Sequence, residues 1–262
     1  MISYKNLVSK VLKEGAFSNN RTGIPTISLH GMCLRHYMPQ GLPILTTKEI
    51  NIKACIHELL WFLRGDTNIK YLNDNGVHIW DAWADENGNL GPIYGKQWRS
   101  SGPNNVDQVA YVINEIRTNP QSRRIVIDAW SPSELNDMAL PPCHILYQFL
   151  VSESTNNIDL CVYMRSADLF LGVPFDIAEG GLLLSLIAKI TGYTPNRLIY
   201  FFGDAHIYLN HINQIETQLK RTCFKLPKLE LPKKQNINDY VFEDFNIIGY
   251  EHHSKLKGKV AV

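Results

Sequence analysis

Residues 165–178 read RSADLFLGVPFDIA and lie between two segments of different character. Residues 158–164 before them read as a strand, and residues 177–190 after them read as an apolar helix that ends near Gly192. The pattern therefore predicts a strand-to-helix connection in which Asp176 stands just before the first turn of the helix.

Two more helices are predicted nearer the start of the chain. Residues 1–16 and 51–64 carry apolar stripes with helical spacing, and Gly65 follows the second stripe as a stop signal. From residue 226 onward, prolines and scattered lysines predict a looser path over the surface.

Further strands complete the pattern. Residues 26–34 alternate as a strand does, although Gly31 interrupts them as a bulge would. The other predicted strands are residues 123–130, 145–151 and 198–202. Because strands and helices are intermixed without regular βαβ alternation, the sequence predicts an α+β fold with a mixed or antiparallel sheet and packed helices.

The composition is that of an ordinary globular enzyme. The chain has 262 residues, of which 45% are hydrophobic and 19% are charged. Since there is no internal repeat and no low-complexity linker, residues 1–262 are predicted to form one domain. The formal net charge of +1 provides no general field for polyanions, so nucleic-acid binding is not expected.

The cysteines and the apolar runs bear on location and metal binding. Five cysteines are scattered without CxxC spacing, which fits a reducing compartment and gives no zinc pattern. No apolar run approaches the ~18 residues that a membrane-spanning helix needs. The first residues also lack the apolar stretch of a signal peptide. The sequence therefore predicts a cytoplasmic protein without a metal cofactor.

Cys143 is the candidate nucleophile. It lies in the segment LPPCH at residues 140–144, where two prolines restrict the backbone ahead of the sulfur. A lone cysteine is more often a small buried apolar side chain. We favour the nucleophile because Arg123, Arg124 and Arg165 are candidates for lowering the thiol pKa.

Together these segments resemble the thymidylate synthase family. The resemblance covers nearly the whole chain, from NRTG at residues 20–23 to VAV at residues 260–262. Between these ends the matching runs are TTK at 46–48, HELLWFLRG at 57–65, IWDAWAD at 79–85, GPIYGKQW at 91–98, SRR at 122–124 and GDAHIY at 203–208. The resemblance implies a thymidylate synthase-like fold and a homodimer formed through the sheet.

The resemblance also implies the chemistry. Cys143 would add to C6 of a pyrimidine nucleotide, after which C5 attacks the one-carbon unit of 5,10-methylenetetrahydrofolate. Glu58 would organise water and proton transfers, and Tyr94 would position the thiol and remove the C5 proton. Within an apolar stripe, a carboxylate such as Glu58 is costly unless it borders a polar cavity, which supports this role.

Nucleotide-binding residues follow from the same resemblance. The residues that the resemblance assigns to binding the phosphate and the sugar of the nucleotide are Arg21, Arg123, Arg124, Arg165, Ser166, Asp168, His206 and Tyr208. Guanidinium groups suit a phosphomonoester because they offer paired, permanently charged donors. In the family, Arg123 and Arg124 reach the site of the neighbouring subunit. Adjacent residues of a strand point to opposite faces, so at most one of them would face the pocket of its own subunit.

Folate-binding residues are implied in the same way. They are Lys48, Ile79, Trp80, Trp83, Asp168, Leu171, Gly172, Phe175 and Ala261. Aromatic walls with one carboxylate suit a flat heterocycle, and Lys48 is expected to meet the glutamate tail. Residues 260–262 resemble a segment that closes over the site, although Lys259 stands where the family commonly has a proline.

Asp176 departs from the family pattern, which has an asparagine that reads uracil. Cytosine presents an amine and an acceptor nitrogen where uracil presents a carbonyl and an N–H, and a carboxyl group matches the cytosine pattern. Relatives specific for dCMP, the deoxycytidylate hydroxymethylases, carry aspartate here. The sequence thus predicts an enzyme that modifies C5 of dCMP, with Asp176 as a general acid toward N3.

Alternatives remain at this stage. Water capture would give 5-hydroxymethyl-dCMP, which we favour, whereas hydride from tetrahydrofolate would give 5-methyl-dCMP. A thymidylate synthase acting on dUMP and a nucleotide- or RNA-binding regulatory protein are further alternatives. The run EGG at residues 179–181 also departs from the family, and two glycines inside a helix cost about 1 kcal/mol each relative to alanine. The sequence alone gives no reason for them.

Overall fold

The computed structural model describes residues 2–260, which form seven α-helices and eight strands. The helices are α1 (Ile2–Glu14), α2 (Ile52–Leu63), α3 (Lys70–Asp74), α4 (Tyr94–Arg99), α5 (Gln108–Thr118), α6 (Gly172–Thr191) and α7 (Ile212–Lys220). The strands are β1 (Ala16–Ser18), β2 (Thr26–Tyr37), β3 (Val126–Asp128), β4 (His144–Ser152), β5 (Asn157–Asp168), β6 (Thr194–Tyr208), β7 (Lys228–Glu230) and β8 (Asn246–Ile248).

Within the described chain, six strands form one mixed sheet in the order β1-β2-β6-β5-β4-β3. Strands β5 and β6 are parallel, and the other neighbouring pairs are antiparallel. The parallel pair needs a crossover, which α6 supplies by packing against both strands and against α2. The predicted α+β fold with a mixed sheet and packed helices is confirmed.

Helix α6 begins earlier than the sequence pattern predicted. It starts at Gly172, so Asp176 lies within the helix instead of just ahead of it. The reason is Asp168, whose Oδ1 accepts hydrogen bonds from the backbone N–H groups of Phe170 and Leu171 and so fixes the turn before the helix. Pro174 fits the first turn, where a backbone donor is not needed.

Two strand predictions also need correction. Of the predicted strand at 123–130, only β3 forms. Arg123 and Arg124 lie before it in the chain and are exposed. Strand β2 continues past its predicted end to Tyr37, and its register with β6 is the same on both sides of Gly31. Gly31 itself has no paired residue on β6, and its φ of 68° lies in the left-handed region that glycine adopts readily, so the pairing is interrupted at this residue.

The two faces of the sheet differ in character. Alternate residues of β5 and β6 are buried beneath α6, whereas Tyr163 and Phe201 on the opposite face are 40% and 41% exposed. These two residues are paired across β5 and β6, and Tyr37 of β2 is exposed as well. The face of the sheet that carries Tyr163 and Phe201 thus presents aromatic side chains to the outside. No helix within residues 2–260 is long and apolar enough to cross a membrane.

Candidate active site

A cavity of about 1150 Å³ opens where the carboxyl ends of β5 and β6 meet the start of α6. The predicted site residues that border it are Arg21, Lys48, Glu58, Ile79, Trp80, Trp83, Tyr94, Cys143, Arg165, Ser166, Asp168, Leu171, Gly172, Phe175, Asp176, His206 and Tyr208. Arg123 and Arg124 are exposed and are not part of the described lining, and Ala261 lies outside the described residues.

Cys143 is fixed from three sides at a β-bulge. The register between β4 and β5 shifts between His144 and Leu146, directly after the cysteine. The Cys143 backbone N–H donates to the Tyr94 hydroxyl at 2.7 Å. Arg165 donates from its side chain to the carbonyls of Pro142 and Pro141 at 2.7 and 2.8 Å. These bonds hold the segment in the position that turns the sulfur toward the cavity.

Opposing effects act on the Cys143 thiol. Burial raises its pKa above the ordinary value, the Arg165 guanidinium lowers it, Asp176 raises it and Arg21 lowers it again. Burial outweighs the two arginines in the free subunit, so the net pKa is raised. The sequence pointed to Arg165 as a partner of the thiol, and Arg21 joins it in the folded chain.

Glu58 borders the cavity from α2, a helix that Asn51 caps by accepting from the Ala54 N–H. Its Oε1 accepts a hydrogen bond from Trp80 Nε1 at 2.6 Å. Burial raises the pKa of this carboxyl to about 7, although the Trp80 bond acts in the opposite direction. A carboxyl group with such a pKa exchanges protons readily near neutral pH.

Asp176 is held by two residues that the sequence reasoning did not assign. Its Oδ1 lies 2.9 Å from His144 Nε2, and His144 Nδ1 lies 2.8 Å from the Tyr147 hydroxyl. Burial raises the pKa of Tyr147, so its hydroxyl keeps its proton and can donate a hydrogen bond to Nδ1. In the tautomer that fits this bond, His144 carries its proton on Nε2 and donates to Asp176. The position of His144 directly after Cys143 was the available sequence signal.

Tyr200 of β6 supports the backbone of Asp176. Its hydroxyl donates to the Asp176 carbonyl at 2.5 Å. A side chain on Gly180 would place its Cβ 2.3 Å from that hydroxyl, and one on Gly181 would come within 2.6 Å of Pro43. The two helical glycines are therefore explained, because each lets another part of the chain approach α6 closely.

The nucleotide end of the cavity is assembled by the parallel strands. Ser166 pairs with Asp204 and Asp168 pairs with His206 across β5 and β6. The rings of His206 and Tyr208 meet edge to face with centroids 5.2 Å apart. Arg21 is supplied by the loop between β1 and β2. Guanidinium, hydroxyl and imidazole groups thus converge at one end, which suits a phosphorylated sugar.

Aromatic side chains form the opposite wall. The rings of Trp80 and Trp83 have centroids 5.8 Å apart, and Phe175 and Leu171 of the α6 region also border this part. Flat apolar walls of this kind fit a planar heterocycle such as a pterin. Within residues 2–260, no group of three or more His, Cys, Asp or Glu side chains is arranged to hold a metal ion.

Lys48 is buried more deeply than we expected for a residue that binds the glutamate tail of a folate. Its ammonium donates to the Phe170 carbonyl and lies 4.0 Å from the centroid of the Phe170 ring. Burial lowers its pKa to about 8. Lys255 and Lys257, which are exposed and border the cavity, are alternative cationic groups at this rim.

The C-terminal segment lies over the cavity as far as the structure describes it. His211 Nε2 donates to the Lys259 carbonyl at 3.0 Å, and Gln214 donates to the Lys257 carbonyl at 3.2 Å. Gly258 packs so closely that a Cβ would meet Phe170 at 2.7 Å. Lys259 is compatible with this docking because only its carbonyl takes part.

The arrangement matches one known family along the chain. The family described as Thymidylate synthase matches residues 2–262. That match includes the cysteine segment, the α2 glutamate and the strand-to-helix connection that together border the cavity. The chain therefore belongs to the thymidylate synthase family.

Proposed function

We propose that this enzyme transfers a one-carbon unit to C5 of dCMP and that water completes the reaction, giving 5-hydroxymethyl-dCMP. Membership of the family indicates folate-dependent modification of a pyrimidine nucleotide at C5 by a one-carbon transferase. The choice of dCMP is supported by one observation: a carboxyl group, that of Asp176, borders the cavity and is hydrogen-bonded to His144, at the position where the family has a base-reading asparagine.

Hydrogen bonding favours cytosine at this position. His144 occupies one Asp176 oxygen, which leaves the other to accept from the 4-amino group of cytosine. Cytosine N3 becomes more basic once the thiolate has added to C6, and in this proposal Asp176, hydrogen-bonded to His144, acts as the general acid toward it. Uracil would turn its O4 toward a carboxylate that offers no donor, and such a mismatch is costly in a buried polar site.

Covalent catalysis begins at Cys143. Arg165 and Arg21 stabilise the thiolate, and the Tyr94 hydroxyl, which accepts from the Cys143 N–H, holds the thiol in position. Burial raises the pKa of Tyr94, so in this proposal its hydroxyl relays the C5 proton as a neutral phenol and does not act as a phenolate base. 5,10-Methylenetetrahydrofolate, the co-substrate of the family, supplies the one-carbon unit when it is bound between the aromatic walls. Glu58 accepts protons from water near the reacting carbon, which its pKa of about 7 permits.

The phosphate is proposed to bind across a homodimer. Arg21, Arg165 and Ser166 contribute from the same chain, whereas Arg123 and Arg124 are exposed and are not part of the described lining of this cavity. The face of the sheet opposite α6 carries exposed Tyr163 and Phe201, the kind of surface that a second copy would cover. Pairing through that face would let both arginines complete the partner's site.

Methyl transfer is the second candidate. The Trp80–Trp83 wall and the docked residues 257–259 favour a site that excludes water, which hydride transfer requires. Formation of dihydrofolate separates the two outcomes, because only hydride transfer oxidises the folate. We expect nucleotide turnover without the absorbance rise of dihydrofolate; a stoichiometric rise would assign methyl transfer.

Asp176→Asn tests the choice of base. The variant offers an NH₂ donor to uracil O4, so we expect the ratio of kcat/KM for dCMP to that for dUMP to fall by roughly 10⁴. Asp74→Asn, the same change at an exposed residue of α3, should leave the ratio unaltered. An unchanged ratio in Asp176→Asn would show that other residues select the base.

A further inference from the structure

Glu179 is a buried carboxyl group that the chemistry described so far does not use. It lies on α6, three residues after Asp176, and only 7% of it is exposed. It does not border the cavity itself but faces α2, where the Glu58 carboxyl lies within hydrogen-bonding reach. Glu179 therefore lies next to Glu58, the carboxyl group to which we assign proton transfer in the cavity, on the side away from the cavity.

We propose that Glu179 holds a proton and donates it in a hydrogen bond to Glu58, so that Glu58 stays a proton acceptor toward the cavity. Glu179 acts through Glu58 and is a positioning residue. The inference rests on the proposed role of Glu58 in proton transfer, but it does not depend on which pyrimidine the enzyme accepts.

The surroundings of Glu179 provide no counter-charge for a second carboxylate. The titratable groups that face it are Glu58 and Cys55 from α2, Asp176 from its own helix, Tyr147 from β4 and Tyr200 from β6. These are carboxyl, thiol and phenol groups, and the basic group near the pair, His144, acts on Glu58 and not on Glu179. Two neighbouring carboxyl groups in such a place cannot both ionise without a large penalty, so the pair retains a proton.

The hydrogen bonds assign that proton to Glu179. Trp80 Nε1 donates to Glu58 at 2.6 Å, which stabilises the negative charge on Glu58. Glu58 also opens to the cavity, whereas Glu179 is enclosed between helices and strands. Burial raises the pKa of Glu179 well above its ordinary range, and its hydrogen bond lowers the pKa of Glu58.

Infrared difference spectroscopy tests the assignment directly. At a pH above the Glu58 pKa of about 7, where Glu58 has ionised, wild-type protein should show the C=O stretch of a buried protonated carboxyl group, and Glu179→Gln should lose it. Asp176→Asn is the matched control and should retain the band. A band that persists in Glu179→Gln would place the proton elsewhere and overturn the proposal.

The pH dependence of turnover provides the functional test. Glu179→Gln keeps an N–H donor toward Glu58, so the acidic limb of its profile should coincide with that of the wild type. Glu179→Leu removes the donor, and the limb should move up by about one pH unit. Coincidence of the Glu179→Leu profile with the wild type, or equal shifts in both variants, would contradict the hydrogen-bond role.

The same preparations separate this inference from the proposed function. The profiles are measured on whichever of dCMP and dUMP is turned over, so a preference for dUMP would refute the choice of base and leave the pH test intact. If Glu179→Leu does not fold, as judged by circular dichroism, the infrared comparison of wild type and Glu179→Gln still decides.

Discussion

At the scale of single residues, the site combines ionisable groups whose surroundings push their pKa values in different directions. Burial raises the pKa values of Cys143, Glu58 and Glu179, whereas Arg165 and Trp80 oppose that effect at the first two. The thiol therefore needs more than its arginines to ionise in the free subunit. Arginines from a partner, or conformational change on nucleotide binding, would supply further stabilisation of the thiolate.

Alkylation of Cys143 by iodoacetamide should reflect this balance. Because burial raises the thiol pKa above its ordinary value of 9.0, the rate in the ligand-free protein should still be rising at that pH. Peptide mass spectrometry distinguishes Cys143 from the exposed Cys33. A rate that reaches its plateau near neutral pH would show that the arginines dominate instead.

At the scale of elements, α6 is the part that connects fold to chemistry. It crosses from β5 to β6, carries Asp176 on the cavity side and buries Glu179 against α2. Its two glycines let Tyr200 and Pro43 approach, and Tyr200 in turn holds the Asp176 backbone. The helix thus sets the position of the Asp176 carboxyl group through contacts on the side that faces away from the cavity.

A double-mutant cycle tests the contact between Gly180 and Tyr200. Gly180→Ala should lower the free energy of unfolding by about 1–2 kcal/mol, since overpacking exceeds the gain in helix propensity. Tyr200→Phe removes the hydroxyl that the new Cβ would meet, leaving the ring carbon at 3.2 Å. The double variant should therefore lose less free energy of unfolding than the sum of the losses in the two single variants, by ~1 kcal/mol.

Gly181→Ala is the control for this cycle. Its Cβ would meet Pro43 and not Tyr200, so its effect should add to that of Tyr200→Phe. Denaturant titration measures all five variants. Additivity in the Gly180 cycle would mean that the hydroxyl does not limit the size of the residue at position 180.

The sequence predicted the type of most elements because their apolar periodicity reflects the sheet face or helix stripe that they bury. It missed what depends on distant partners. The start of α6 is set by the Asp168 side chain, and the need for Gly180 is set by Tyr200, which lies on another strand. The residues that border the cavity around Cys143 were predicted from motifs, whereas Tyr147 and Tyr200 carry no local signal of their contacts with His144 and Asp176.

At the scale of the whole molecule, the two faces of the sheet have separate tasks. One face is covered by α6 and leads to the cavity, and the other carries exposed aromatic side chains such as Tyr163 and Phe201. Arg123 and Arg124 lie outside the cavity of their own chain. The proposed homodimer accounts for both the open face and the displaced arginines.

Complementation between inactive variants tests shared sites. Cys143→Ser and the double variant Arg123→Ala/Arg124→Ala should each be inactive, but mixing and refolding them should restore up to about a quarter of the wild-type activity. That fraction follows if half of the dimers are mixed and one of their two sites is intact. A mixture of Cys143→Ser with Glu58→Gln should stay inactive, because both residues come from the same chain. Failure of the arginine mixture to recover would refute the shared site.

Global stability should also report the buried carboxyl pair. The folded-state pKa values of Glu58 and Glu179 are raised above 4.5, so the native state binds more protons than the unfolded state above that pH. Their contribution to stability is therefore lost as pH rises, with a slope of at most ~1.4 kcal/mol per pH unit per group.

Thermal unfolding of Glu179→Gln isolates this effect. The variant lacks one of the two groups, so its Tm relative to wild type should increase as pH rises from 4.5 through neutrality. Contributions from other groups, such as His36 and His57, cancel in the comparison. A Tm difference that does not change with pH would show that Glu179 has no raised pKa in the folded protein.

Product analysis addresses the choice of base and the fate of the one-carbon unit together. The purified protein is incubated with 5,10-methylenetetrahydrofolate and equal amounts of dCMP and dUMP, and the nucleotides are identified by mass spectrometry. We predict a hydroxymethyl group on dCMP and unmodified dUMP. A methyl group on dCMP would be consistent with the role of Asp176 and would refute the capture of the intermediate by water. A methyl group on dUMP would contradict the central claim that Asp176 selects dCMP.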